Sequence, residues 1–285
     1  MFIPLLIRRK KGTNDWEYSF HTPEPDVDTL MSDFISLKIS EVEPAYLITG
    51  IYFCSYAQEW HTLTAADLEN ELVPFITGRV TERTKLQLAA EDDDRNESFD
   101  QMFAVLLKGL KSINFEDVKI GYYGVACEEF IARLIEGGKL KKLELYGSWP
   151  NGGRDLIFSY LTKTENPSLI LTEQNKITID KELFDLMLKM FIEDKFTYLK
   201  CMHGPLEVDV DYLKAAYPEH QAPPKTQPLE EGFEVLEWES PADERSHFIL
   251  EFTSDGVYIN IYYFACCSCC GQSNCGNSDC DEVER

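Results

Sequence analysis

The segment Leu140-Lys-Lys-Leu-Glu-Leu-Tyr-Gly-Ser-Trp149 has leucines at the spacing Leu-x-x-Leu-x-Leu. Segments with the same spacing, two of them degenerate, begin at residues 83, 115, 166 and 196. The middle residues of the five segments are Leu86, Val118, Leu143, Leu169 and Leu199. These are 32, 25, 26 and 30 positions apart. Leucine-rich repeats have a period of about 20–29 residues, so the pattern predicts a comparable repeat with one β-strand in each unit.

Helical patterns occupy the intervals between these strands. Apolar residues at helical spacing predict four helices. The first covers 98–110, the second covers 126–135, the third begins after Gly153 and the fourth ends at Ile192. Gly137-Gly138 is predicted to end the second helix, and Asp180 is the predicted N-cap of the fourth. Because strands alternate with helices, we predict an α/β fold: an irregular leucine-rich-repeat-like βα array with a parallel sheet and helices on its outer side.

A different pattern begins after the repeats. Prolines at 218, 223, 224 and 228 predict a linker over 218–232. Apolar residues recur at every second position in 248–252 and 257–263, on either side of Asp255-Gly256, which predicts an antiparallel β-hairpin. The predicted parts are an N-terminal α/β segment over 1–84, the array over 85–217, the linker, a hairpin segment over 233–264 and a Cys-rich acidic tail over 265–285.

The composition limits the classes of function. The 285 residues carry a net charge of −23, and 44% of them are hydrophobic, which excludes a mainly disordered chain. So acidic a surface repels phosphate groups, so we expect no nucleic-acid partner. The longest apolar run, 45–57, is too short for a transmembrane helix. The nine cysteines form no evenly spaced disulfide framework, which predicts a reducing compartment, the cytoplasm or alternatively the nucleus.

The strand that ends in Trp149-Pro150, followed by a helix and another leucine-rich strand, is similar to the repeats of nematode F-box-associated and related proteins. The resemblance covers about residues 85–215 and implies a recognition component of ubiquitin ligases. The N-terminus lacks the Leu-Pro-x-Glu start of an F-box, so an adaptor role would operate without its own ligase-docking module. The Asn that usually follows the repeat strand is replaced by Tyr123, Ser148, Gln174 and Gly204.

The tail contains a segment with metal-ligand spacing. The pattern Cys-x2-Cys-x4-Cys-x4-Cys is formed by Cys267, Cys270, Cys275 and Cys280. It is the pattern of a zinc knuckle with Cys in place of His, and four thiolates in a tetrahedron suit Zn²⁺. Cys266 and Cys269 offer an alternative first pair. Free thiols in a disordered tail, disulfides and palmitoylation are the alternatives to zinc.

Other motifs do not favour an enzyme. Cys201 and His203 lie two residues apart, without an identifiable orienting carboxylate. Cys127 begins a predicted helix, but the adjacent Glu128-Glu129 disfavours its thiolate, so core packing is the preferred interpretation of both cysteines. His247 and three other histidines have no metal-ligand partner at short spacing. No phosphate-binding glycine motif or hydrolase motif occurs in the sequence.

We therefore predict an intracellular protein-interaction scaffold or adaptor without enzymatic activity, because a curved parallel sheet offers a broad surface of side chains. The acidic surface predicts a basic protein or peptide as partner. Candidate contact residues are the strand-end aromatics Tyr122, Tyr146 and Trp149, with packing in the core or a loop as the equal alternative. The second hypothesis is a zinc-binding or redox-responsive protein that acts through the tail, and the third is a Cys-dependent enzyme.

Overall fold

The computed structural model describes residues 2–10, 15–23, 34–53, 59–88, 97–172, 175–196, 198–204, 206–215, 225–228, 234–241, 246–253 and 256–263. The chain divides into two compact units. The first comprises Met1–Trp149 and Asp155–Thr164, and the second comprises Pro150–Arg154 and the chain from Glu165. This division differs from the predicted parts, because the array predicted over 85–217 is shared between the two units.

The first unit contains both strands and helices. Its strands are β1 (Phe2–Arg9), β2 (Trp16–Pro23), β3 (Phe34–Leu37), β4 (Leu47–Phe53), β5 (His61–Leu63), β6 (Val80–Leu88), β7 (Asp117–Gly121) and β8 (Lys142–Tyr146). Its helices are α1 (Ala65–Asp67), α2 (Val73–Thr77), α3 (Glu97–Gly109), α4 (Val125–Glu136) and most of α5 (Gly153–Lys163). A π-helical turn at Leu68–Leu72 joins α1 to α2.

The strands of the first unit are hydrogen-bonded in the order β3-β2-β1-β4-β6-β7-β8, and β5 pairs with β2. In the part of this order that runs β1-β4-β6-β7-β8, each strand is parallel to its neighbours. Strand β2 is antiparallel to both β1 and β3. Helices α3 and α4 connect β6, β7 and β8, and α3 packs against α2 and α4. Right-handed crossovers that always step to the next strand place their helices on one face of a sheet. The predicted α/β class with a parallel sheet is confirmed.

The register of the sheet aligns the predicted repeats. Leu86 pairs with Val118, and Val118 pairs with Leu143. Ile51 pairs with Leu86 and extends this row into β4. All four side chains are fully buried, at 0% exposure. The repeat periodicity therefore marks the face of the sheet that forms the core.

The boundaries of α4 follow from local signals. The helix ends at Glu136, where the backbone N–H of Gly137 donates to the carbonyl of Arg133. Gly138 has a φ of +66°, in the left-handed region that favours glycine. The apolar face of α4 places Phe130 and Ile131 in the core. The predicted helix and its glycine end are both confirmed.

The second unit combines a short parallel pair with an antiparallel sheet. Its strands are β9 (Ser168–Leu171), β10 (Ile179–Asp180), β11 (Tyr198–Gly204), β12 (Leu206–Glu207), β13 (Lys225–Pro228), β14 (Glu234–Glu239), β15 (Ser246–Thr253) and β16 (Gly256–Tyr263), and its helices are α6 (Lys181–Ile192) and α7 (Val210–Ala215). The main order is β9-β11-β16-β15-β14-β13, in which β9 and β11 are parallel and the other neighbours antiparallel. Strands β10 and β12 form a separate parallel pair.

The predicted C-terminal hairpin is confirmed as β15–β16, with Thr253 opposite Gly256. Aromatic contacts of Trp238 and Phe248 with Phe184, at 6.0 Å between ring centroids, pack the antiparallel sheet against α6. Strand β13 lies inside the predicted linker, which corrects that assignment: Pro228 is tolerated because β13 ends the pairing order, where one side of the strand needs no partner. In the part of the chain that the structure describes, no helix has the length and apolar composition to cross a membrane.

Candidate functional site

One face of the parallel sheet in the first unit is lined by polar and aromatic side chains. Along each strand, successive side chains point to opposite faces, so the neighbours of the buried row lie on the other side of the sheet. We call this surface the open face, formed by Tyr52, Lys85, Gln87, Asp117, Lys119, Lys142, Glu144 and Tyr146. All eight side chains are partly or fully exposed.

Charged residues on the open face form two rows across the strands. In the first row, Lys85 pairs with Asp117, and Asp117 pairs with Lys142. In the second row, the Lys119 Nζ lies 2.6 Å from a carboxylate oxygen of Glu144. The Lys119 Nζ also lies 5.1 Å from the centroid of the Tyr146 ring, within the range of a cation–π interaction. The face therefore presents alternating charges next to an aromatic ring.

Tyr52 lies at the β4 end of the open face. Its ring covers Gly50, where a Cβ atom would come within 2.2 Å of the ring. Burial, together with the negative charge of Asp117, raises the pKa of Tyr52 above its ordinary value of 10.0. Tyr52 is therefore a neutral phenol at physiological pH and offers both an apolar ring and a polar hydroxyl group.

The three predicted contact residues occupy different environments. Tyr146 lies on the open face. Tyr122 is partly exposed, and its hydroxyl oxygen lies 2.9 Å from a carboxylate oxygen of Glu128, to which it donates. Trp149 is fully buried, at 0% exposure, so the prediction of an exposed aromatic is wrong for this residue. The rings of Tyr122 and Trp149 pack edge to face with their centroids 5.2 Å apart, but Tyr146 has no described ring contact with either.

Trp149 is buried because its indole group joins two neighbouring strands. Its Nε1–H donates to the carbonyl of Ile120 in β7 at 3.3 Å. Tyr123 forms a similar link, since its hydroxyl group donates to the carbonyl of Leu88 in β6 at 3.1 Å. Tyr123 was predicted only as a replacement for the Asn expected after the repeat strand, with no role of its own. A polar group two residues after a repeat strand is the signal that could have identified it.

The cysteines proposed as alternative nucleophiles give no catalytic arrangement among the described residues. Cys127 is fully buried, and its Sγ accepts a hydrogen bond from the backbone N–H of Tyr123 at 3.3 Å. Cys201 and His203 belong to β11, but their side chains lie outside the described part of the structure. The predicted zinc ligands Cys267, Cys270, Cys275 and Cys280 also lie outside it.

A group of side chains that could bind a metal ion occurs in the second unit. Glu237 and Glu239 of β14 and His247 of β15 each offer one donor atom, and the three atoms lie within 4.8 Å of one another. The His247 Nδ1 lies 2.5 Å from a carboxylate oxygen of Glu237. No partner of His247 is evident from the sequence, because Glu239 becomes its neighbour only across the β14–β15 pairing.

No family model matches the sequence, and no curated protein or solved structure is significantly similar to it.

Proposed function

We propose that the protein is a protein-interaction scaffold whose partner binds the open face. The observation that carries this proposal is a parallel sheet with one face in the core and the other lined by partly exposed Lys, Asp, Glu and Tyr side chains. Parallel sheets are normally covered on both faces. A partner that packs on the open face would complete this arrangement.

The strand order favours a broad protein partner over a small ligand. In open α/β sheets, small ligands bind in the crevice where the strand order reverses. In the first unit the strand order reverses between β1 and β4, whereas β6, β7 and β8, which carry the charged rows, follow one another without such a reversal. Their shared face instead carries two rows of side chains that extend across neighbouring strands. Surfaces of this kind in repeat proteins bind other proteins.

Charge indicates two properties of the proposed partner, one from long-range attraction and one from contacts at the interface. The net charge of −23 attracts a basic protein or peptide over a long range. At contact, the Lys85–Asp117–Lys142 row requires a partner segment with charges of alternating sign. Such complementarity determines the register of an interface and excludes partners with the wrong pattern. The proposed partner is therefore basic overall, with acidic residues that meet the two lysines.

The test is quantitative co-purification from the native cell with the full chain and two charge variants. Lys85→Glu reverses a charge on the open face, and Lys111→Glu makes the same change at an exposed position after α3. We expect Lys85→Glu to weaken capture of the specific partner roughly tenfold, because like charges would then meet at the interface. Lys111→Glu should capture the partner as the unchanged chain does. Equal capture by all three proteins would refute the open-face proposal.

The same experiment examines the two narrower hypotheses. Recovery of ubiquitin-ligase subunits with the unchanged chain would support the adaptor role that the resemblance implies. Replacement of the six tail cysteines by serine examines the zinc or redox hypothesis. If this replacement abolishes partner capture while Lys85→Glu does not, the tail is the binding element and the open face is not.

A further inference from the structure

We propose that Glu237, Glu239 and His247 form a binding site for a divalent transition-metal cation, with Zn²⁺ as its test ligand. This site is independent of the open face, because it belongs to the other unit and uses different chemistry. It is also distinct from the cysteine pattern of the tail. The donor set consists of one imidazole nitrogen and two carboxylate oxygens.

The distances between the donor atoms suit a small cation. Zn–N and Zn–O bonds of about 2.0–2.2 Å place neighbouring donors of a tetrahedral site roughly 3.4 Å apart. The three donor atoms here are separated by between 2.5 Å, for the His247–Glu237 pair, and at most 4.8 Å. Small side-chain rotations would bring all three to bonding distance. In a zinc site with three protein ligands, water or another ligand would take the fourth position.

The backbone holds the three donors in place. Glu239 pairs directly with His247 across the antiparallel β14–β15 ladder, and Glu237 is two residues from Glu239 on the same face of β14. On the opposite face, Trp238 and Phe248 pack against each other with ring centroids 5.7 Å apart, and both are buried. The ligands therefore stand on strands that are anchored in the core, which gives a preorganised site.

The two carboxylates of the cluster suit a cation, and the basic residue paired with the cluster is Lys225 of β13, opposite Glu237. Two carboxylates lie beside one imidazole, so the cluster is negative when His247 is neutral. Glu251 adds a further carboxylate on the same face of β15, two positions beyond Ile249. Imidazole suits Zn²⁺ and similar transition metals, whereas a site of carboxylates alone would suit Mg²⁺ or Ca²⁺. His247 therefore gives the site its preference for a transition metal.

The experiment is calorimetric titration of the full chain with Zn²⁺, with the six tail cysteines replaced by serine so that they do not bind the metal. We expect one Zn²⁺ per chain. Glu239→Gln should weaken Zn²⁺ binding by at least roughly tenfold, as expected for loss of one ligand. Glu239 is exposed, so this variant leaves the core intact. Glu251→Gln removes a carboxylate from the same face outside the cluster and should bind Zn²⁺ as the parent does.

A second measurement follows the thermal stability of the protein instead of the heat of binding. A ligand that binds only the folded protein raises its melting temperature, so Zn²⁺ should raise the Tm of the parent and of Glu251→Gln equally, and that of Glu239→Gln by less at the same Zn²⁺ concentration. The absence of stoichiometric Zn²⁺ binding by the parent would overturn the proposal. Equal affinities of the parent and Glu239→Gln would also overturn it, because the metal would then be bound elsewhere.

Discussion

Two aromatic side chains link adjacent strand ends in the first unit. The hydroxyl group of Tyr123 and the indole N–H of Trp149 each donate to the carbonyl of a residue in the preceding strand. A buried carbonyl without a partner costs free energy, so these residues stabilise the sheet edge as well as filling space. Trp149 thus contributes to stability, whereas Tyr146 on the open face is available to a partner.

The substitution Trp149→Phe tests this division of roles. It keeps an aromatic ring but leaves the Ile120 carbonyl without its donor, so the free energy of unfolding should fall by at least about 1 kcal/mol. Tyr146→Phe, a change on the partly exposed open face, should alter stability by less than about 0.5 kcal/mol. Urea denaturation measures both values. Equal effects of the two substitutions would contradict the assigned roles.

The sequence predicted the chemistry of individual site residues only in part. Aromatic residues after the repeat strands were identified, but burial of Trp149 depends on a carbonyl 29 residues away, which no local pattern reveals. The Glu237–Glu239–His247 cluster was missed for a similar reason. Glu239 and His247 become neighbours only when β14 and β15 pair, so their proximity required the strand register.

At the scale of elements, the periodicity of apolar residues predicted the helices and the hairpin but not the strand pairings between distant segments. The four helices of the array and the β15–β16 hairpin are present because apolar spacing and turn residues act over short distances. Strand β13 was missed because Pro228 and the prolines that precede the strand are typical of linkers, and its pairing with β14 is a tertiary contact. The contact of β11 with β16 is also nonlocal, and it joins the last parallel pair to the antiparallel strands.

The N-terminus of α6 gives a prediction about pH. Burial opposes ionisation of Asp180, but hydrogen bonds from Arg154 and from backbone N–H groups, including that of Leu183, outweigh it and lower the pKa of Asp180 below its ordinary value of 3.8. Because the folded-state pKa is the lower one, Asp180 stabilises the fold above that ordinary value. This contribution is lost as the pH falls through the folded-state pKa.

We expect Asp180→Ala to lower the free energy of unfolding by about 1 kcal/mol at neutral pH, since the helix loses its N-cap. Asp180→Asn keeps a capping oxygen but lacks the charge that interacts with Arg154. Its stability should therefore fall less than that of the unchanged protein when the pH is lowered below about 4. Denaturation at several pH values measures the unchanged protein and both variants.

At the scale of the whole molecule, charge and contact surface act on different steps of binding. In the proposed complex, the net charge of −23 would accelerate the approach of a basic partner. The open face would act only once the partner is seated, through charges such as Lys85 and Lys142. Long-range attraction therefore determines the association rate, and the contacts determine the dissociation rate.

The variants Lys85→Glu and Lys111→Glu separate these two effects, because each makes the net charge more negative by the same amount. With the partner recovered by co-purification, both variants should associate slightly faster than the unchanged chain at low salt, and added salt should remove the difference. Only Lys85→Glu should dissociate faster, by roughly tenfold, because only Lys85 lies on the open face. Surface plasmon resonance at several salt concentrations measures both rates. Faster dissociation of both variants would mean that binding depends on total charge, and the open face would lose its role as the specific contact surface.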